Sequence, residues 1–181
     1  MCLKEEPMQF SKIKKRMLSF VAPSLESRIN LYATVDRHFH DGESRIWMTL
    51  DGEPFFKAED LRFTQEADRR YALAKARLPQ KPERITLEIF QSNWYKTSRE
   101  LYRQIEHDLE QEGWHANYNV QQDLLLYPTL SIEEALTHPH AFIRGFALLD
   151  RRVGKRRLER INGDTPFEFT CLKIRLEAES N

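Results

Sequence analysis

Apolar side chains change their spacing several times along this chain, and each change predicts a different element. Phe10, Ile13, Met17, Phe20 and Val21 recur mostly at three- and four-residue steps, the period that gathers side chains on one face of a helix. Lys12, Lys14, Lys15 and Arg16 fill the other sides, and Pro23 ends the segment. Basic amphipathic helices can lie on anionic membranes, but one this short is marginal alone and is expected to dock on the domain core. The period then falls to two. Ile29, Leu31, Ala33 and Val35 share one face, and Ile46, Met48 and Leu50 repeat the pattern. Asp41-Gly42 and Asp51-Gly52 are turn signals, and Phe55 and Phe56 follow the second. Residues from about 28 to 57 therefore read as an antiparallel meander.

Helical spacing returns in a charged stretch from Glu59 to Leu78, where Ala67, Tyr71, Ala74 and Leu78 make a face that Pro79 closes. Pro79 and Pro82 form a short linker, and Ile85, Leu87 and Ile89 alternate as a further strand would. Thr97 and Glu100 read as a capping box opening a helix to Glu112, with Leu101, Ile105 and Leu109 inside and Gly113 at its end. Trp114 to Tyr127 is ambiguous, although the run Leu124-Leu125-Leu126 is what a buried strand shows. Ser131 to Glu134 is a second capping box, opening a short helix that His138-Pro139 breaks. Thr165, Pro166 and Glu168 open a last helix. Phe167, Cys171, Ile174 and Ala178 form one of its stripes, and Phe169, Leu172 and Leu176 a second, so the core should sandwich it.

Between the last two openings lies AFIRGFALLDRRVGKRRLERI, from Ala141 to Ile161. Phe142, Ile143, Phe146, Ala147, Leu149 and Val153 keep to one helical face. Gly145 within it costs about 1 kcal/mol relative to Ala, which fits either close packing against another backbone or a plain tolerated glycine. Gly154 is placed either to cap this helix or to bend it so that Leu158 and Ile161 dock. The fold class is α+β: an N-terminal helix, an antiparallel meander, then a helical C-terminal half (about 97–179) packed on the sheet. One domain from residue 8 to 181 is expected, behind a polar extension of residues 1–7. Met8 is an alternative initiator, which mass spectrometry of the natural product would decide.

The totals narrow the classes. The 181 residues suffice for one well-packed domain, and 40% hydrophobic with 31% charged content fits a soluble, folded chain. No apolar run approaches the roughly 18 residues that span a bilayer. No secretory signal is visible, so the expected location is cytoplasmic. Cys2 and Cys171 lie near opposite ends, and Cys171 falls in a helical stripe as a packed thiol.

Charge singles out one segment. Arg151, Arg152, Lys155, Arg156, Arg157 and Arg160 crowd together, opposed locally only by Asp150 and Glu159. Such a run either forms a solvated face that pairs with the protein's own carboxylates, or meets an acidic partner. Arginine's planar fork suits carboxylate and phosphate alike, so the partner is an acidic protein surface or nucleic acid. The net charge of zero argues against a dedicated nucleic-acid domain. The expected function is a non-catalytic protein-interaction module presenting this segment, with nucleic-acid binding through the same six residues as the alternative.

Three pieces of the chain carry a resemblance: Phe10 to Lys15 (FSKIKK), Ser131 to Leu136 (SIEEAL) and Phe146 to Arg156 (FALLDRRVGKR). With them the sequence resembles a family of small uncharacterised bacterial proteins over most of its length from Met8. The resemblance implies a stand-alone protein and lends no catalytic or binding residue.

Motif chemistry is otherwise sparse. Gly154-Lys155 lacks the earlier glycine and the following hydroxyl of a phosphate loop, since Leu149 and Arg156 stand there. No dinucleotide fingerprint, nucleophile elbow or zinc motif occurs, so no cofactor, metal or catalytic residue is assigned. His38, His40 and Asp36 would share a strand face as part of a metal site, against the commoner reading of a solvated hairpin end. His138-Pro139-His140 reads as an interhelix turn. Trp47, Trp94, Trp114, Tyr95, Tyr102 and Tyr118, interleaved with cations, are able to stack bases, although core packing is their commoner use.

Overall fold

The computed structural model describes residues 9–35, 44–82 and 87–180. The expected metal-site trio of Asp36, His38 and His40 lies outside these residues, as do Cys2, Met8 and Ile85. Helix α1 (Phe10–Leu18) leads into three strands, β1 (Ile29–Val35), β2 (Ser44–Leu50) and β3 (Glu53–Glu59), paired antiparallel in chain order. The β2–β3 hairpin turns on Asp51 and Gly52, both at positive φ, as a tight two-residue turn demands. Arg28 clamps that turn through its guanidinium on the Asp51 carboxylate at 2.6 Å. A register shift between Met48 and Thr49 leaves Phe55 as an extra residue in β3, a bulge beside the turn.

Alternation sorts the sheet into two faces. Ile29, Leu31, Ile46, Met48, Phe56 and Ala58 are buried in the main core. Tyr32, Trp47 and Lys57 stand in a row across the opposite face. Against the inner face lie α4 (Asn117–Leu126), α6 (Ala141–Leu149) and α8 (Pro166–Ala178), with α5 (Ile132–Leu136) packed on α6 and the one-turn α7 (Lys155–Leu158) on α8. Every residue of α6 except Arg144 is buried, and α6 packs on α8 more closely than any other two helices pack. Phe56, Phe142, Phe167 and His115 form the aromatic centre, with Phe56 and Phe167 ring centroids 4.5 Å apart. This is the α+β arrangement that the periodicity predicts. Docking of α1 on the core holds too: Met17 is fully buried, and Phe10 and Ile13 pack on the same cluster.

Helices α2 (Asp60–Ala74) and α3 (Asn93–Gln111) form a separate antiparallel pair. Phe63, Ala67, Ile105, Leu109 and Ala116 make a small core of its own.

Several expectations are corrected. The alternation at Leu87 and Ile89 does not make a strand; Leu87–Gln91 is a 3-10 turn with Leu87 87% exposed. It leads directly into α3, whose true N-cap is Ser92, its Oγ accepting from the Tyr95 N–H. Thr97 and Glu100 are therefore interior positions of α3. Residues 117–126 are helical, and of the leucine run only Leu124 is buried, because Val120, Asp123 and Leu124 share the inward face at helical spacing. Phe169 is 63% exposed and does not belong to the core stripe of α8. The helix over the central segment stops at Leu149, and Val153 is buried from a turn beyond it. Gly154 is neither cap nor bend of α6; it precedes α7 in extended conformation with negative φ.

Candidate interaction surface

Helix α6 ends because Asp150 turns extended and bridges Val21. Ala22 N–H donates to the Leu149 carbonyl and Arg151 N–H to the Phe20 carbonyl, so the chain after α1 holds the start of the basic segment like a short ladder. Asp150 is fully buried. Its Oδ2 accepts from the Tyr127 hydroxyl at 2.6 Å and from the Arg152 guanidinium at 2.8 Å, and its Oδ1 accepts from the Arg152 backbone N–H at 2.7 Å. Arg152 also donates to the Leu130 carbonyl, and its guanidinium lies over the Phe20 ring at 4.7 Å. Burial, then the Asp150 charge, pushes the Tyr127 hydroxyl far above its usual range, so it stays a donor. The Asp150 hydrogen bond raises Arg152 further. This trio is a charged core joint that fastens α1, α4 and the basic segment.

The remaining cations divide in two. Arg151 donates to the Val21 carbonyl at 3.1 Å and stands 3.9 Å from Glu26. Lys155 Nζ reaches the Glu179 carbonyl at 3.1 Å, and Arg157 grips Glu133 of α5 with two N–H donors. The Lys155 contact and the Arg157 and Arg151 ion pairs are exposed, where ion pairs are worth little and exchange readily, while the Arg151 bond to Val21 is half-buried. Arg156 and Arg160 are exposed, and their guanidiniums have no hydrogen bond or ion pair with any described residue. Arg156 lies in the α7 turn and Arg160 just beyond it, while Leu158 between them is buried in the core. The sequence treated all six side chains as one free patch. The structure splits them into a locked Arg152, three exchangeable side chains and two unpaired ones.

A polar cluster that the sequence reading missed lies at the other end of α6. The turn His138-Pro139-His140 joins α5 to α6 as expected, and it places His140 Nδ1 2.7 Å from the buried Asp123 of α4. That hydrogen bond raises His140, while burial and the neighbouring His140 lower His138. Glu110 of α3 is raised by burial and accepts from Asn119 at 2.8 Å. Arg144 ties the turn down, donating to the His138 and Pro139 carbonyls and pairing with Glu168 of α8 at 2.7 Å. The cue was present in the HPH tripeptide, but Asp123 sat in a stretch whose period was unreadable. His115, read as nothing in the sequence, is buried between Phe56 and Phe167, and burial lowers it to about 4. Among the described residues, no group of three or more His, Cys, Asp or Glu side chains is placed to hold a metal ion. Cys171 is a buried free thiol, pushed well up by burial. No helix among the described residues is long and apolar enough to cross a membrane.

In comparison with known proteins, a sequence model of the SF0329 protein family matches residues 9–177. No curated protein and no solved structure matches the chain.

Proposed function

The chain belongs to the SF0329 protein family, a membership that assigns no activity, and from that premise we propose that it is a non-catalytic interaction module for an acidic protein surface. The contact is the α7 turn. The observation that carries this reading is the pair Arg156 and Arg160, exposed and unpaired among the described residues on a turn whose buried Leu158 holds it in place. An anchored turn loses little freedom on binding, which favours affinity. Arg157 and Arg151 add exposed guanidiniums whose pairs with Glu133 and Glu26 are open to exchange for a partner's carboxylates.

The sign pattern around the turn favours protein over a phosphate backbone at this place. Glu159 stands between the two free arginines, and Glu133 and Glu26 flank the others. A flexible acidic segment can seat its carboxylates on Arg156 and Arg160 and bend clear of Glu133, Glu26 and Glu159, whereas the stiff phosphate track of a duplex would be carried past those carboxylates and meet repulsion there. Polyglutamate and random double-stranded DNA, each titrated at 50 and 200 mM salt against wild type and the Arg156→Glu/Arg160→Glu variant, test the assignment. The double reversal should weaken polyglutamate binding at least tenfold and leave DNA binding as it was. Unchanged polyglutamate binding refutes the reading, and a selective loss of DNA binding would replace it with the nucleic-acid alternative.

A further inference from the structure

The outer face of the sheet carries a stack with one end open. Tyr32 and Trp47 are cross-strand neighbours, their rings 5.2 Å apart and 14° from parallel. The Lys14 ammonium of α1 caps the far side of Tyr32, 4.7 Å from its centroid. The order is therefore cation, ring, ring. On the side of Trp47 toward β3, no ring or cation among the described residues lies over the indole. A hollow of about 240 Å³ opens there instead, lined by Arg45, Trp47, Pro54, Lys57 and Glu59 among others. Lys57 is the cross-strand neighbour of Trp47 and is exposed.

We infer that this hollow takes one base of a single-stranded nucleic acid, stacked on Trp47, with the adjoining phosphates on Lys57 and on the basic side of α1. An aromatic platform beside a cationic track is the general chemistry of strand binding, since every base has a π-face. The track is present. Lys12, Lys15 and Arg16 are exposed with no ion pair to any described residue, and α1 packs along β1, which carries Tyr32. A lipid surface fits less well, because the apolar side of α1 is already spent on the core through Phe10, Ile13 and Met17. Glu59, paired to Arg45 at 3.8 Å and Arg62 at 3.4 Å, sits at the rim where its carboxylate can accept from an N–H on the base edge, such as the thymine imide N–H. At about 240 Å³ the hollow has room for one base. This site shares no residue with the α7 turn.

The test uses the full chain, a fluorescein-labelled 12-residue oligothymidylate, an abasic 12-mer with the same phosphates, and thymidine monophosphate. Wild type should prefer the oligothymidylate to the abasic strand by about tenfold or more, the scale of one stacked base. Trp47→Leu should erase that preference and Trp47→Phe should keep most of it. Lys57→Glu, an exposed change that leaves folding intact, should weaken both strands. The Arg156→Glu/Arg160→Glu variant should bind the oligomer as wild type does, which keeps this result separate from the fate of the α7 proposal. Equal affinity for the two strands, or a folded Trp47→Leu variant that retains the preference, overturns the inference. Monophosphate binding as tight as the oligomer overturns the claim of a strand. Should Trp47→Leu not fold, the wild-type strand comparison and Lys57→Glu decide the matter.

Discussion

Gly145 touches Phe167 so closely that a methyl group in place of its hydrogen would lie 2.4 Å from the ring. That ring is fixed on its other sides by Phe56 and Phe142 and cannot step aside. Gly145→Ala should therefore lose about 1–3 kcal/mol in chemical denaturation despite the better helix propensity of alanine. His115 gives a second expectation. Its folded value of about 4 lies below the ordinary 6.5, so the unfolded chain binds the extra proton first. The stability it contributes is present above pH 6.5 and is lost as pH falls toward 4, about 3 kcal/mol in all. His115→Phe should remove that loss, measured as the difference between the two proteins' unfolding free energies at pH 7 and pH 4. His140 acts with the opposite sign: raised by Asp123, its contribution is full below 6.5 and fades as pH rises through its folded value.

Helix ends show what the sequence could and could not reveal about elements. The box at Ser131 and the cap at Thr165 formed as read, because each side chain sits next to the donor it must satisfy: Glu134 N–H at 3.3 Å and Glu168 N–H at 3.3 Å. Thr97-Glu100 has the same spelling, yet Ser92 opens the helix. The Ser92 hydroxyl also donates to the Ile89 carbonyl of the preceding turn, a contact that spacing alone does not disclose. Ser92→Ala should cost about 1 kcal/mol and Thr97→Ala within a few tenths, by thermal denaturation. The sheet was legible because one of its faces is buried, and period two leaves no choice about which residues go inward. The α4 segment was not, since its leucine run mixes one buried residue with two exposed ones. The basic segment was legible as charge but not as partnership. Nothing near Asp150 in sequence announces that Tyr127 and Phe20 will close around it and draw Arg152 inward.

The whole molecule rests on two cores of unequal size. The main one joins sheet, α1, α4, α6 and α8; the smaller holds only α2 against α3 and the residues that follow. Amide exchange should be slowest in α6 and faster through the α2–α3 pair, whose outer end exposes Leu73 and Phe90. Within the basic segment Arg152 holds the fold together through the buried Asp150 carboxylate, whereas the guanidiniums of Arg156 and Arg160 touch no partner among the described residues and are the pair proposed above for an acidic surface. Equilibrium denaturation of Arg152→Ala beside Arg156→Ala/Arg160→Ala tests this most directly. Stranding the Asp150 charge should cost about 3–5 kcal/mol, and the double variant should stay within about 0.5 kcal/mol of wild type. A neutral Arg152→Ala, or an Arg156→Ala/Arg160→Ala variant that itself loses about 3–5 kcal/mol, would contradict the division.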